Sequence, residues 1–196
     1  MVIAAILLAA DDLRIDGTLL PLLLFGDDQT LIEYHVAQLQ AAGVDVVEVV
    51  LGCDAERLIP LVATNDIEPI VNGRWREGEA GSLRVGATAV PRDTEAAIVV
   101  RIDEPRPAEI IRRVLDEHLS DGALLTRASH GARAGAPIVV GRAMLSELRN
   151  VTDAGGLGAV VARHAQEVAD VACADDVVLL RIEDAAGYAR ALEQLR

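Results

Sequence analysis

The sequence predicts an α/β fold in which an open, mostly parallel β-sheet carries helices on both faces. Apolar residues make up 52% of the 196 residues but aromatic residues only 2%, so the core must consist of Ala, Val, Leu and Ile. Continuous apolar runs alternate with stretches of helical spacing along almost the whole chain. Runs of branched apolar residues are typical of parallel strands that are covered on both faces.

The predicted strands are short apolar runs, and the predicted helices place apolar residues three or four positions apart. The strands are expected at residues 2–9, 44–51, 67–71, 96–102, 123–126, 137–140, 168–173 and 177–182. The helices are expected at residues 28–42, 55–63, 82–90, 107–119, 143–148, 156–165 and 185–195. No change of composition marks a linker, so residues 1–196 are expected to form one domain.

Glycine, aspartate and proline mark several ends of the predicted helices. Gly43 follows the first helix as a C-terminal glycine, and Asp54 precedes the second helix as an N-cap. Pro60 lies inside that second helix and is expected to kink or shorten it. Pro107 opens a later helix, where its missing N–H costs nothing. The glycine- and alanine-rich residues 127–136 are expected to form a loop between two short strands.

The charged residues exclude several classes of function. All 18 bases are arginines, so the chain has no lysine for a phosphate loop, a Schiff base or a general base. The net charge of -13 argues against nucleic acid and anionic membranes as partners. No apolar run is long enough to span a membrane, and two cysteines are too few for a disulfide framework. We therefore expect a reduced, cytoplasmic protein.

Ligands of open α/β sheets bind beyond the carboxyl ends of the strands, which points to three loops at residues 10–17, 72–81 and 103–107. Asp103 follows a buried strand, and a carboxylate at that place can hold Mg²⁺. A turn aspartate between strand and helix is the simpler interpretation of the same residue. The glycines of residues 78–82 suit an anion at a helix start, although a flexible helix entry explains them equally well.

The first of these loops is acidic. Asp11, Asp12 and Asp16 surround Arg14, and three acids make a poor cradle for a triphosphate unless a metal offsets them. From composition alone, a solvated acidic loop is the preferred interpretation. The four histidines have no metal-ligand spacing, and we assign none of them a catalytic role.

Several segments carry a resemblance to a known family. The most specific is Asn-x-x-Trp-x-x-Gly at residues 72–78, followed by Ser-Leu-x-x-Gly at residues 82–86. Ile-Asp-Glu-Pro at residues 102–105 stands where the family has Gly-Asp-Gln-Pro, whose aspartate binds the metal. The other similar segments are residues 2–10, 31–36, 41–45 and 49–52. Together they resemble the nucleotidyltransferases of molybdenum-cofactor maturation, especially the cytidylyltransferase branch.

The resemblance implies a Rossmann-like fold of the nucleotide-diphospho-sugar transferase type. It also implies transfer of a nucleotidyl group from CTP or GTP to a phosphorylated, molybdopterin-like small molecule. By this resemblance, Asp103 would hold Mg²⁺ against the phosphates, and Arg14 would orient them. The residues expected to line the nucleotide site are Ala9, Ala10, Asp11, Gly17, Asn72 and Ser82.

The differences from the family pattern affect residues that the resemblance places at the phosphates and the metal. Asp11 replaces the glycine of the family's Leu-Ala-Ala-Gly loop, and the lysine that follows in the family is missing. Ala136 replaces the histidine of Gly-His-Pro, and Arg181 replaces an acid near the sheet edge. Arg101 precedes Asp103 by two residues on the same strand face. Either Arg101 or Arg181 is expected to pair with Asp103 and to compete with a metal.

Two functions remain open at this point. The chain is either a nucleotidyltransferase whose activity these departures weaken or abolish, or an inactive relative that binds a nucleotide, a cofactor or a partner protein. An exposed apolar segment at residues 19–25 would indicate a partner surface or a homodimer, whereas its burial would leave both functions open. A sugar-nucleotide transferase is less favoured, because no paired-aspartate metal motif follows the strand at residues 96–102.

Overall fold

A computed structural model describes residues 1–26, 28–65, 67–152 and 154–195. Its strands and helices are, in chain order, β1 (Val2–Ala9), β2 (Arg14–Ile15), β3 (Thr18–Leu19), α1 (Leu31–Ala41), β4 (Val46–Leu51), α2 (Ala55–Ala63), β5 (Ile70–Val71), α3 (Glu79–Ala89), β6 (Thr94–Arg101), α4 (Ala108–Asp121), β7 (Leu125–His130), β8 (Arg133–Gly141), α5 (Arg142–Leu148), α6 (Gly156–Arg163), β9 (Val168–Ala172) and α7 (Ala185–Gln194). Within these described ranges, no helix combines the length and the apolar character that crossing a bilayer requires.

Seven strands form one sheet in the order β5-β4-β1-β6-β8-β7-β9, and β2 and β3 form a separate two-stranded ribbon. In the sheet, β1 pairs in parallel with β4 and β6, β4 pairs in parallel with β5, and β7 pairs in parallel with β9. Strand β8 runs antiparallel to both of its neighbours, β6 and β7. The predicted open, mostly parallel sheet is confirmed.

Both faces of the sheet are buried. Successive side chains of a strand point to opposite faces, so Ile3, Ala5 and Leu7 join a core with α1, α2 and α4. Ala4 and Ile6 join a second core with α3, α5 and α6. Helices therefore cover both faces, which is why β1 is apolar at every position.

The strand predicted at residues 177–182 is wrong. Asp176–Leu179 forms a 3₁₀ turn instead. The carbonyl oxygens of Val178 and Leu180 accept hydrogen bonds from the buried guanidinium of Arg106, at 2.7 and 2.9 Å. Because these oxygens are already paired with a side chain, they need no neighbouring strand.

The predicted loop between two short strands is also wrong. Strands β7 and β8 form a long antiparallel hairpin with its turn at residues 131–132, and the glycine- and alanine-rich segment begins β8. A Cβ atom on Gly135 would lie 2.3 Å from the carbonyl oxygen of Val178. The small residues therefore reflect a close approach of two segments and not a loop.

The second helix departs from its predicted capping. Asp54 makes no side-chain capping bond and has a φ of 50°, and its carboxylate pairs with Arg14 and Arg57. The helix keeps its predicted bounds and continues through Pro60. The next helix, α3, begins at Glu79 and not at residue 82.

Candidate functional site

A small cleft lies where the parallel strands β1 and β6 end, at the middle of the sheet. Its volume is about 10 Å³, which is about the space of one water molecule. Its lining residues are Leu8, Ala10, Asp11, Leu13, Glu79, Ser82, Arg101, Ile102 and Asp103. The lining includes four of the residues predicted to form the catalytic or nucleotide site, namely Ala10, Asp11, Ser82 and Asp103, together with Arg101. Larger grooves lie at the outer edge of β4 and beside His118, but no predicted site residue lines either of them.

The centre of the cleft is the carboxylate of Asp103, which is only 3% exposed. Its Oδ2 atom lies 2.6 Å from Nε of Arg181, and its Oδ1 atom lies 3.4 Å from Nε of Arg101. The backbone oxygen of Asp103 accepts a hydrogen bond from the N–H of Ile182 at 2.8 Å, which holds the Arg181 segment beside the cleft. Both arginines that were expected to compete with a metal therefore pair with Asp103.

Arg101 extends this ion-pair chain to a second carboxylate. Its Nη1 atom lies 2.9 Å from Oε2 of Glu79, which is 17% exposed. The other oxygen of Glu79 accepts a hydrogen bond from the backbone N–H of Leu157 at the start of α6, at 3.0 Å. Glu79 was not predicted as a site residue, because its partners are distant in the sequence and no local pattern marks them.

The glycine at the start of α6 makes the Glu79 contact possible. Gly156 has a φ of +53°, and a Cβ atom there would lie 2.4 Å from Oε1 of Glu79. A carboxylate at a helix N-terminus is also favoured by the helix dipole. Glu79 therefore ties α3, β6 and α6 together behind the cleft.

The remaining acids make the cleft electrostatically crowded. Burial raises the pKa of the Asp11 carboxyl, an effect that Arg101 opposes and Asp103 reinforces. Beside the cleft, burial likewise raises the pKa of the Glu104 carboxyl, and the charge of Asp103 adds to the rise. The two arginines therefore stabilise a site that already holds several negative charges.

A divalent cation does not fit the residues as they are arranged. In proteins that bind phosphorylated substrates, Mg²⁺ is usually held by one or two carboxylates together with the substrate phosphates. Both oxygens of Asp103 instead contact guanidinium groups, which would repel an arriving cation. In the part of the chain that the structure describes, no group of three or more His, Cys, Asp or Glu side chains could hold a metal ion.

Arg14 and Gly17 are absent from the lining of this cleft. They belong to the β2–β3 ribbon, whose turn at Asp16 and Gly17 has φ values of 50° and 81°. The guanidinium of Arg14 lies 2.6 Å from Asp12 and 3.1 Å from Asp54. The predicted phosphate-orienting arginine is therefore paired with two aspartates beside the start of α2.

The backbone at the end of β1 is closely packed. Ala9 and Ala10 are buried, and the carbonyl oxygen of Ala10 accepts a hydrogen bond from the N–H of Cys53 at 2.9 Å. A Cβ atom on Gly52 would lie 2.5 Å from that oxygen and 2.6 Å from Cβ of Trp75. A glycine at position 52 therefore lets Trp75 pack against the first loop.

Asn72 and Ser82 contact each other. The amide Nδ2 of Asn72 donates to Oγ of Ser82 at 3.0 Å, and its Oδ1 accepts from the N–H of Arg74 at 3.0 Å. Both side chains are buried. Their hydrogen bond joins the loop before α3 to the helix, so that Ser82 lines the cleft and Asn72 supports it from behind.

A buried arginine outside the cleft was missed by the sequence analysis. Arg106 donates hydrogen bonds to four carbonyl oxygens, those of Pro105, Ala136, Val178 and Leu180, at 2.7 to 2.9 Å. Burial lowers its pKa to about 10. The backbone at Ala136, where the family has a histidine, is thus held by Arg106. No sequence signal marks a side chain whose partners are all carbonyl groups.

The apolar segment at residues 19–25 is largely buried. Leu19, Leu20 and Phe25 are at most 2% exposed and lie in the core, whereas Leu24 is 63% exposed. Most of the segment therefore cannot form the exposed apolar surface that a partner would need. Its burial leaves the two functional interpretations open.

Solved structures with the same fold are similar along the whole chain. The crystal structure of Rv0371c from Mycobacterium tuberculosis H37Rv is 24% identical, covers 97% of each chain and has a TM-score of 0.83. A manganese complex of Rv0371c is 22% identical, covers 98% of this chain and 99% of that chain, and has a TM-score of 0.82. A nucleotidyl transferase from Methanothermobacter thermautotroptrophicus is 20% identical, covers 98% of this chain and 97% of that chain, and has a TM-score of 0.84. Among curated proteins, none matches the sequence.

The sequence also matches a protein family directly. The match extends over residues 5–168, from within β1 to the start of β9, and its family is described as the MobA-like NTP transferase domain. It includes every residue that lines the cleft. The match therefore includes most of the sheet and the cleft at its centre, and the chain belongs to the family of MobA-like NTP transferase domains.

Proposed function

We propose that the exposed guanidinium of Arg181, beside the cleft, binds the phosphates of a nucleoside triphosphate, CTP or GTP, and that transfer of the nucleotidyl group to a phosphorylated acceptor is weak or lost. The observation that carries this proposal is the pairing of Asp103. Both of its carboxylate oxygens contact arginines, at 2.6 Å from Arg181 and 3.4 Å from Arg101. The carboxylate expected to hold the metal is therefore neutralised by side chains of the same chain.

Arg181 is well suited to contact phosphate. Its Nε atom faces Asp103, and 44% of its side chain is exposed. The side-chain hydrogen bond of Arg181 uses Nε, and its terminal nitrogens, Nη1 and Nη2, make no hydrogen bond with a residue in the described ranges. A guanidinium with free terminal nitrogens can hold a phosphate through two parallel hydrogen bonds. This arrangement supports phosphate binding without a divalent cation.

The same arrangement opposes catalysis. Phosphoryl chemistry depends on positive charge placed where the transition state and the leaving pyrophosphate become more negative. Here the two arginines are partly neutralised by Asp103 and Glu79. The chain has no lysine to add a further charge, and Asp11 in the cleft adds a negative one. Transition-state stabilisation is therefore expected to be small.

An active, Mg²⁺-dependent transferase is the second candidate. It is supported by the shared cleft of Ala10, Asp11, Ser82 and Asp103 and by the family match. The manganese complex of Rv0371c, a protein of the same fold, also favours metal use. In this candidate the acceptor would be a phosphorylated, molybdopterin-like small molecule, and Asp103 would hold the metal in place of an arginine.

Nucleotide titration calorimetry distinguishes the two candidates. CTP and GTP are titrated into the wild-type chain with Mg²⁺ and then with a chelator in its place, and pyrophosphate release is followed in parallel. The proposal predicts affinities that agree within about threefold under both conditions and no pyrophosphate release above background. Arg181→Gln should weaken binding by roughly tenfold or more, since a hydrogen bond to a charged group is lost.

The matched control is Arg190→Gln, which removes the same charge from an exposed position of α7. It should leave the affinity unchanged. Binding that requires Mg²⁺, together with pyrophosphate release that Asp103→Asn abolishes, would establish the second candidate instead. No binding of either nucleotide at millimolar concentration would contradict both.

A further inference from the structure

One edge of the sheet is left partly open. Strand β5 contains two residues and pairs with β4 only at Val50–Ile70 and Leu51–Val71. The preceding residues 67–69 have no strand structure. Among the described residues, the first four of β4 therefore have no neighbouring strand on their outer side.

The backbone groups that face this open edge can be identified. The carbonyl oxygen of Leu51 points outward, since it accepts a hydrogen bond from the N–H of Asn72 at 2.8 Å. Strand geometry repeats every two residues, so the backbone groups of Val47 also point outward. Among the described residues, none hydrogen-bonds to the N–H or C=O of Val47 at this edge. Such groups are a template for an added strand.

A groove of about 870 Å³ runs along this edge. One wall is formed by the residues around Val47, and the other by residues 67–71, which diverge from β4. Val71 on the second wall is 51% exposed. An added strand lies about 4.8 Å from its neighbour, and the groove provides space at that place.

The opposite edge of the sheet is protected. Strand β9 carries Asp170, which pairs with Arg127 at 2.6 Å. The guanidinium of Arg113 donates to the carbonyl oxygen of Ala172 at 2.8 Å. Charged side chains of this kind are a usual means of blocking edge pairing. The open edge of β4 lacks such an ion pair among the described residues.

The charge of the groove indicates the kind of partner. Its lining contains Asp45, Glu48 and Glu68, and the described lining contains no arginine. Asp45 already accepts a hydrogen bond from the N–H of Ile3 at 2.8 Å. Glu48 is half-buried and has no ion-pair partner in the part of the chain that the structure describes, and burial raises the pKa of its carboxyl. A cation from outside would stabilise this carboxylate.

A second copy of the chain does not suit the groove. Two copies paired along β4 would bring Glu48, Asp45 and Glu68 close to their own counterparts. Each copy also carries a net charge of -13. Like charges that face each other across strands are destabilising. A basic partner has neither disadvantage.

We propose that the open edge of β4 receives an extended, basic segment of another protein as an additional strand. Backbone hydrogen bonds to Val47 would supply the pairing, and an arginine or lysine of the segment would pair with Glu48. This mode of recognition adds a strand to a sheet and takes specificity from alternate side chains. It is independent of the central cleft, since the described linings of the two sites share no residue.

The test uses a short capped peptide of alternating arginine and valine, followed by fluorescence anisotropy and by hydrogen exchange of the wild-type chain. We expect saturable binding and slower exchange of the Val47 amide. The same peptide with its alternate backbone nitrogens methylated should lose most of this binding. Glu48→Gln should weaken binding by roughly threefold or more.

Glu117→Gln is the matched control, because it removes the same charge from an exposed position of α4 and should leave binding unchanged. Glu48→Gln should not unfold the chain, since it removes a carboxylate that has no ion-pair partner among the described residues. Equal binding of the methylated peptide, unchanged exchange at Val47, or equal effects of the two variants would overturn the proposal. A dimer that forms through β4 in the absence of peptide would also overturn it.

Discussion

The neighbours of Asp103 decide whether its buried carboxylate can bind a metal ion. At 3% exposure, an ionised carboxylate is strongly destabilised unless it is paired. Arg181 and Arg101 supply the compensation, and Arg101 shares its charge with Glu79. The same carboxylate that would bind a metal in an acidic site is here part of an arginine-bridged ion-pair chain.

Another buried titratable residue, His35, predicts a dependence of stability on pH. Its ring lies in α1 with Nε2 at 3.0 Å from the carbonyl oxygen of Ile102, and burial lowers its pKa to about 4. The unfolded chain takes up a proton near pH 6.5, whereas the folded chain does not until about pH 4. The free energy of unfolding should therefore fall by about 3 kcal/mol as the pH falls through this window, with no effect above pH 7.

Urea unfolding at pH 7 and pH 4.5 measures this effect. His35→Gln keeps a donor for the Ile102 carbonyl but cannot titrate, so it should lose about 2–3 kcal/mol less than the wild type between the two pH values. His164→Gln should act in the opposite direction, because hydrogen bonds to Glu167 and Glu147 raise the pKa of that ring and its protonation stabilises the folded chain as the pH falls; this variant should lose more than the wild type. Equal losses in the wild type and His35→Gln would show that His35 is not responsible.

At the scale of elements, the position of α3 decides the shape of the cleft. The helix carries Glu79 and Ser82, and its approach to the sheet depends on Gly86. A Cβ atom on Gly86 would lie 2.5 Å from Cγ2 of Ile6 and 3.0 Å from Cγ2 of Val50. A larger residue must therefore displace the helix from β1 and β4.

Gly86→Ala is expected to destabilise the chain by about 1–3 kcal/mol, because overpacking strains a closely packed core. Thermal or urea unfolding measures the loss. Gly158→Ala provides the control, since this exposed glycine of α6 has no atom within 4 Å of an added Cβ. That substitution should stabilise the chain by about 0.5–1 kcal/mol. Equal effects at both positions would contradict the close packing of α3.

Sequence patterns predict the elements that need only an apolar surface to pack against. β1 is recognised because any apolar run of its length can be buried between two layers of helices, and α2 keeps its predicted bounds. The 3₁₀ turn Asp176–Leu179 is not recognised, because an apolar run does not reveal that Arg106 takes its carbonyl groups. Hydrophobic periodicity reports burial but not the identity of a distant hydrogen-bond partner.

The candidate site likewise contains residues that the sequence predicts and residues that it does not. Asp103 and Ser82 are recognisable from a strand end and a motif, and the structure places both in the cleft. Glu79 could not be predicted, since its contacts to Arg101 and Leu157 depend on the packing of three elements. Arg14 is conspicuous in sequence, but the β2–β3 ribbon directs it toward Asp12 and Asp54.

At the scale of the whole molecule, the excess of acids has local consequences. The chain has 31 acidic residues against 18 arginines. Acidic residues line both the central cleft and the groove beside β4, but only the cleft also holds arginine. The chain retains the fold of the family, and the positive charge beside Asp103 comes from Arg101 and Arg181. We propose that this charge takes the place of a metal ion.

Manganese titration followed by electron paramagnetic resonance tests that claim most directly. It is performed near physiological ionic strength, where loose attraction to a net charge of -13 is largely screened. The wild type and Asp103→Asn should bind equally little Mn²⁺. Arg181→Gln, which keeps Arg101 beside Asp103, should gain binding that a further Asp103→Asn substitution removes. One tightly bound Mn²⁺ in the wild type, lost in Asp103→Asn, would show that a metal and not arginine neutralises Asp103.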